Sequence, residues 1–136
     1  MITGLNHLTL AVRDLDVSFR FYAEVLGLKA VARWPKGAYL AAGDLWLALT
    51  LDDKTRAGPL PEYTHAAFTV SPENFQAMRE RIIASGAETW QQNSSEGESH
   101  YFIDPNGHKL EIHVSGLAAR IAAAKKQPWD GLQFFD

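Results

Sequence analysis

Polar and apolar positions alternate along residues 5 to 12, with Leu8, Leu10 and Val12 on one face and His7, Thr9 and Ala11 on the other. This is the period-two signature of a half-buried strand. The period then lengthens: Phe19, Tyr22, Val25 and Leu26 recur at helical spacing behind a candidate cap at Asp14 or Asp16, and Gly27 supplies a stop. Short strands are predicted near 29 to 34, 37 to 42 and 45 to 51, separated by Pro35-Lys36-Gly37 and Gly43-Asp44. A polar stretch, 52 to 62, carries Gly58, Pro59 and Pro61 and reads as a connector. Beyond it come a strand at 63 to 70 and a helix with Ser71 as N-cap, Pro72 at its first position and an apolar stripe of Phe75, Met78 and Ile82. Gly86 ends that helix. A short strand near 87 to 91, a polar loop at 92 to 98 and strands at 99 to 104 and 109 to 114 follow, the last two joined by the turn Asp104-Pro105-Asn106-Gly107. A final helix, 116 to 126, leads into an aromatic tail ending at Asp136.

The two halves open alike. His7 to Val12 runs into an amphipathic stretch closed by Gly27, and His65 to Val70 into one closed by Gly86, the His-to-Gly spacings differing by one residue. Self-similarity of this kind predicts duplicated βαβββ modules in an α+β protein. The chain divides into module one at 1 to 51, the linker at 52 to 62, module two at 63 to 115, and a C-terminal helix and tail at 116 to 136, all within a single domain of 136 residues.

Charge and composition narrow the chemistry. A formal net charge of -3 and no long Lys/Arg run disfavour nucleic acid and anionic membranes as partners. The N-terminus lacks the pattern of a secretory leader and no apolar run approaches a membrane span, so the cytoplasm is the default expectation. With no cysteine, the chain offers neither a thiolate ligand nor a thiol nucleophile, and any metal must rest on His, Asp or Glu.

Strand alternation places such groups together. In the last strand Leu110, Ile112 and Val114 are core candidates, leaving Lys109, Glu111 and His113 on the opposite face, the face that His7 and His65 also occupy on their own strands. Two imidazoles at equivalent repeat positions and a carboxylate interrupting an apolar strand suit a catalytic metal site, which keeps positions open for substrate. Residues 45 to 51 offer no carboxylate on that face. His100, His108 and His113 are rival ligands, expected to be structural or exposed.

Several stretches, in order and register, carry a resemblance: GLNHLTLAV at 4 to 12, FY at 21 to 22, ARW at 32 to 34, GAYL at 37 to 40, LWLAL at 45 to 49, YTHAAF at 63 to 68, NSSEGESHYFIDPNGHKLEIHV at 93 to 114, and the tail from Gly116. The sequence resembles the fosfomycin resistance proteins of the glutathione transferase type, within the vicinal oxygen chelate superfamily. The resemblance implies a domain-swapped homodimer of paired βαβββ modules, with His7 of one subunit joining His65 and Glu111 of the other around Mn2+. It implies K+ bound by Asn93, Ser95, Glu96, Gly97 and Ser99. It implies phosphonate binding by Thr9, Ser95, Ser99, Tyr101 and Arg120, of which Thr9, Tyr101 and Arg120 count as catalytic, and a site lined by Tyr39, Trp46 and Tyr63. The activity implied is opening of the fosfomycin epoxide by added glutathione, giving antibiotic resistance.

Two positions depart from that pattern: Gln91 stands where Lys is usual, and Ser94 where Arg is common. Both remove positive charge from the anion-binding end, although the amide of Gln91 can still donate hydrogen bonds to a substrate. Rival readings are epoxide hydration with a carboxylate such as Asp44 as general base, a dioxygenase using Fe(II) on the same donors, and a metal-free protein that sequesters the antibiotic.

Overall fold

The computed structural model describes residues 1–135, and the predicted tail's last residue, Asp136, lies outside the described residues. Its elements are β1 (His7–Val12), α1 (Leu15–Arg20), β2 (Lys29–Trp34), β3 (Gly37–Ala42), β4 (Leu45–Leu51), β5 (Ala66–Thr69), α2 (Pro72–Ala84), β6 (Thr89–Gln91), β7 (Ser99–Ile103), β8 (Lys109–His113) and α3 (Leu117–Lys126). They form two four-stranded sheets of the same topology, ordered β1-β4-β3-β2 and β5-β8-β7-β6, with the outer pairs β1·β4 and β5·β8 parallel. Each parallel pair needs a crossover, which the helix following β1 or β5 supplies. The α+β class and the βαβββ repeat expected from alternation are both present.

Local differences have physical causes. Asp14 caps α1, its side chain accepting from the Val17 amide, but the helix keeps α geometry only to Arg20 and continues as a π-helical turn, Phe21–Val25. That turn brings the consecutive residues Phe21 and Tyr22 both into the core, where a regular apolar stripe would have placed Phe19 and Tyr22. Ser71 occupies the N-cap of α2 without a side-chain hydrogen bond to the helix. The strand expected at 63 to 70 is shorter: the ladder to β8 begins at Ala66, so His65 lies one residue outside it.

The helical faces of both sheets share one core. Leu10, Val12, Phe21, Leu40, Leu47 and Leu49 pack with Phe75, Ile82, Phe102, Leu110 and Ile112, and burial of one such leucine is worth about 2 to 3 kcal/mol. Through this core runs a buried polar plug. The Asp104 carboxylate accepts from Tyr22 Oη at 2.6 Å and from the amides of Asn106 and His108 at 2.8 Å each. Asn106 donates to Ser18 Oγ at 2.9 Å and accepts from the Arg13 amide at 3.0 Å. A buried carboxylate is tolerated only when its lone pairs are filled, so the Asp104 turn of module two fits only this arrangement of module one. Gly107, with φ of 87°, completes the seat: a Cβ there would lie 2.1 Å from the Gly58 carbonyl oxygen of the linker.

Burial and the neighbouring Asp104 carboxylate hold the Tyr22 phenol pKa well above its usual value, so Tyr22 remains a donor. Tyr22→Phe should therefore lower stability by about 1 to 3 kcal/mol, because a buried acceptor loses a partner. A drop in the urea midpoint at unchanged slope is the expected reading; a midpoint equal to the parent's would contradict the plug's role.

Candidate metal and substrate site

Sheet register decides which donors meet. On β8 Glu111 stands opposite Ala67 of β5 and Tyr101 of β7, with only 6% of its surface exposed. Its Oε1 lies 3.2 Å from His65 Nε2, and its Oε2 accepts from Ser99 Oγ at 2.6 Å. His65 Nδ1 is tied to the Tyr63 carbonyl at 2.9 Å, a bond that places a proton on Nδ1 and aims Nε2 at the carboxylate. Two metal-capable donors thus converge on the site face of the second sheet.

The contact string continues. Ser99 Oγ also meets His113 Nδ1 at 2.5 Å, His113 Nε2 meets Ser115 Oγ at 2.7 Å, and Ser115 donates to Glu96 at 2.6 Å. Arg120 Nε closes the string on Glu96 at 3.3 Å. The Ser115 hydroxyl and the Arg120 guanidinium hold the Glu96 carboxyl below its ordinary pKa. Gly97 lets the loop approach: its φ is 75°, and a Cβ would sit 3.0 Å from Ser115 Oγ. Within the loop Asn93 Nδ2 donates to the Gly97 carbonyl, and Asn93 Oδ1 accepts from both the amide and the hydroxyl of Ser95. The oxygens of Asn93, Ser95, Glu96, Gly97 and Ser99 are therefore gathered in one loop, each engaged by a neighbour, and their chemistry suits a hard cation.

The first sheet carries the other expected residues. His7 is exposed, its ring stacked on Trp46 at 4.3 Å and its Nδ1 2.7 Å from Asn6 Oδ1. Trp46, Tyr39 and Trp34 follow in T-shaped, edge-to-face contacts, at 5.1 and 4.8 Å. Thr9 faces the same side, opposite Ala48. Repeat register makes Ala48 the counterpart of Glu111, which explains why this sheet contributes only an imidazole. His7 and Thr9 do not join the second-sheet residues: among the described residues of one chain, no three His, Asp or Glu side chains converge on a point that could hold a metal ion. Cavities of 330 Å³ at Arg13, Gly58 and Ser85, and of 560 Å³ between Leu28 and the edge strand β5, include none of His7, His65 and Glu111.

Sequence reasoning missed three contributors. Trp90 packs against His65, Tyr63 and Tyr101 at 5.2, 5.6 and 5.2 Å and donates to the Leu110 carbonyl at 3.0 Å. Trp34 extends the aromatic wall of the first sheet. His113, expected to be structural or exposed, lies inside the site string instead; its place beside Glu111 on an alternating strand was the available signal. His108 bridges the modules, meeting the Ala11 carbonyl at 2.8 Å and Arg56 at 2.9 Å. Asp44 sits exposed in the β3–β4 turn.

Paired βαβββ modules whose edge strands begin with or just behind a histidine, one of them facing a buried glutamate, define a protein of the vicinal oxygen chelate fold. The chain belongs to the Glyoxalase/Bleomycin resistance protein/Dioxygenase superfamily, whose family model matches residues 4–112. It is 52% identical to the glutathione transferase FosA of Serratia marcescens, over 98% of this chain and 96% of that protein. It is 36% identical to the metallothiol transferase FosB of Shouchella clausii, over 100% of this chain and 97% of the relative. Among solved structures, the fosfomycin resistance protein FosX of Listeria monocytogenes superposes with a TM-score of 0.78 at 29% identity, covering 90% of this chain and 99% of that one. A variant of that protein was solved with Mn(II) and 1S,2S-dihydroxypropylphosphonic acid.

His100 stands apart, on the helix-facing side of β7, buried, stacked near Phe102 and with no partner for Nε2 among the described residues. Burial, aided by the charge of Arg79, pushes its pKa below the ordinary value. The unfolded chain therefore binds the proton first as pH falls, and stability should decline from the unfolded-state pKa of about 6.5 downward. His100→Leu should flatten the part of this decline that His100 causes, measured as urea midpoints between about pH 7 and 5. Parallel curves for parent and variant would contradict it.

Proposed function

We propose that the protein is a divalent-metal thiol transferase that opens the epoxide of fosfomycin by adding glutathione, and so confers resistance to that antibiotic. The observation that carries the reading is the facing pair of His65 Nε2 and Glu111 Oε1, at 3.2 Å, heading a hydrogen-bonded string that ends on Arg120. The likeness to named glutathione and metallothiol transferases over nearly the whole chain supports it.

His65 and Glu111 are two of three donors, and the third, His7, comes from a second copy. His7 opens the edge strand β1 and His65 immediately precedes the edge strand β5, and the outer edges of both strands have no ladder partner among the described residues. Such edges are normally paired or covered, and a two-fold pairing that sets β1 of one copy beside β5 of the other completes two identical sites. Mn2+ is the ion we assign there, supplying Lewis-acid polarisation of the oxygen on which charge develops. K+ is assigned to the loop of Asn93, Ser95, Glu96, Gly97 and Ser99, where it would take up the charge that Glu96 now shares with Arg120.

The chain's own residues divide the remaining work. Arg120, Tyr101, Ser95 and Ser99, with Thr9 of the second copy, hold the phosphonate by charge-assisted hydrogen bonds and offset the negative charge an incoming thiolate would meet. Tyr39, Trp46 and Tyr63 wall the reacting carbon from water. Because the chain contains no cysteine, the nucleophile belongs to the second substrate. Its sulfur forms the new C–S bond as the C–O bond breaks, the electron pair passes to the ring oxygen, and that oxygen takes up a proton. Among the described residues no helix is long and apolar enough to cross a membrane.

The test incubates the protein with Mn2+, K+ and fosfomycin, with and without glutathione, and follows the phosphorus NMR signal. A glutathione-dependent adduct is expected, whereas a diol formed without thiol, or no product, would overturn the reading. In the same assay Gln91→Lys should raise kcat/KM by about tenfold, the scale of one added charged hydrogen bond to the anionic substrate. An unchanged kcat/KM would contradict the electrostatic depletion assigned to position 91.

A further inference from the structure

The two repeat histidines are held in different ways. His7 opens β1 inside its ladder, opposite Trp46, and stacks on that same residue. His65 precedes the first ladder pair of β5, Ala66 with Leu110, and its own segment, Glu62 to His65, has no strand partner among the described residues. Something other than sheet pairing must set its position.

Side-chain tethers from the sheet perform that task. Lys109 Nζ donates to the Glu62 carbonyl at 2.8 Å while lying 4.9 Å over the Trp90 ring. Gln91 Nε2, on the opposite edge strand β6, donates to Tyr63 Oη at 2.9 Å. Tyr63 is 60% exposed, so its ring has little packing to fix it besides Trp90 and His65, at 5.6 and 5.1 Å. The Tyr63 side chain thus forms a strap over Trp90, fastened at its far end by one amide hydrogen bond. Its near end carries the carbonyl that holds His65 Nδ1.

We propose that Gln91 is a positioning residue for His65, acting through Tyr63: by anchoring the phenol it fixes the unpaired segment, and with it the imidazole that faces Glu111. The proposal rests on the reading of His65 as a metal donor. What it requires at position 91 is a donor that reaches Tyr63 Oη. Charge serves a separate purpose there, the attraction of an anionic substrate.

The test measures Mn2+ affinity of the full chain by electron paramagnetic resonance of the free ion. Gln91→Leu and Tyr63→Phe should each weaken binding by about threefold to tenfold, below the loss typical when a direct partner of a ligand is removed. The double variant should be no weaker than either single one, because both cut the same link. Gln91→Lys, which keeps a donor, should bind as the parent does. Tyr63→Phe carries the comparison alone if Gln91→Leu fails to fold. Unchanged affinity in the single variants, multiplying losses in the double variant, or a loss in Gln91→Lys equal to that in Gln91→Leu would overturn the proposal. A parent that binds no Mn2+ would overturn this inference together with the proposed function, whereas a parent that binds and variants that match it would overturn the inference alone.

Discussion

A carboxylate buried in the middle of a β-strand must be paired, and the site is arranged around that requirement. Glu111 is flanked on its strand by Leu110 and Ile112, both in the core, so its side chain has no choice but the opposite face of the sheet. There it is kept from bulk water and takes one hydroxyl and one imidazole as partners. Burying a charge with incomplete pairing costs on the order of several kcal/mol. In the single chain the imidazole Nε2 and the carboxylate Oε1 face each other at 3.2 Å. A proton on Nε2, or in the proposed function a metal ion, would join the two, so one geometry would serve both pairing of the buried carboxylate and the proposed metal site.

The polar string that leaves Glu111 explains how two ends of the site are linked. Ser99, His113, Ser115 and Glu96 connect the carboxylate to Arg120 through successive contacts of 2.5 to 3.3 Å. Two carboxylates bound through two hydroxyls and one imidazole need four protons for four contacts, and a neutral imidazole leaves them one short. Added positive charge at the loop would ease that deficit, which agrees with an all-oxygen loop beside Glu96 and with Arg120 lying close. The neutral residues Gln91 and Ser94 add no charge to this balance, and Arg120 is the guanidinium that contacts Glu96.

Much of this was legible in the chain itself. The alternation of Leu8, Leu10 and Val12 with His7 and Thr9 foretold which face each residue takes, because strand geometry is local. The matching start of the second module foretold His65, and the apolar neighbours of Glu111 foretold its direction. What could not be read depends on contacts between distant segments. The π-helical turn at Phe21–Val25 follows from seating Tyr22 against Asp104, a residue of the other module. Trp90 enters the site only because β6 lies two strands from β8 in the second sheet. His65 falls outside its ladder because pairing with β8 starts at Ala66, a matter of register between strands far apart in sequence.

One chain gathers His65 and Glu111 but leaves His7 on the other sheet, so the proposed activity requires a site divided between copies. The direct measurement mixes two inactive variants, His7→Ala and Glu111→Ala, by joint refolding and assays thiol addition to fosfomycin. In a mixed dimer one site receives His7 from the Glu111→Ala chain and both other donors from the His7→Ala chain, while the second site has lost both. With half of the dimers mixed, roughly a quarter of the parent activity should return, as two-fold symmetry requires. Activity no greater than that of the separate variants would contradict the shared site.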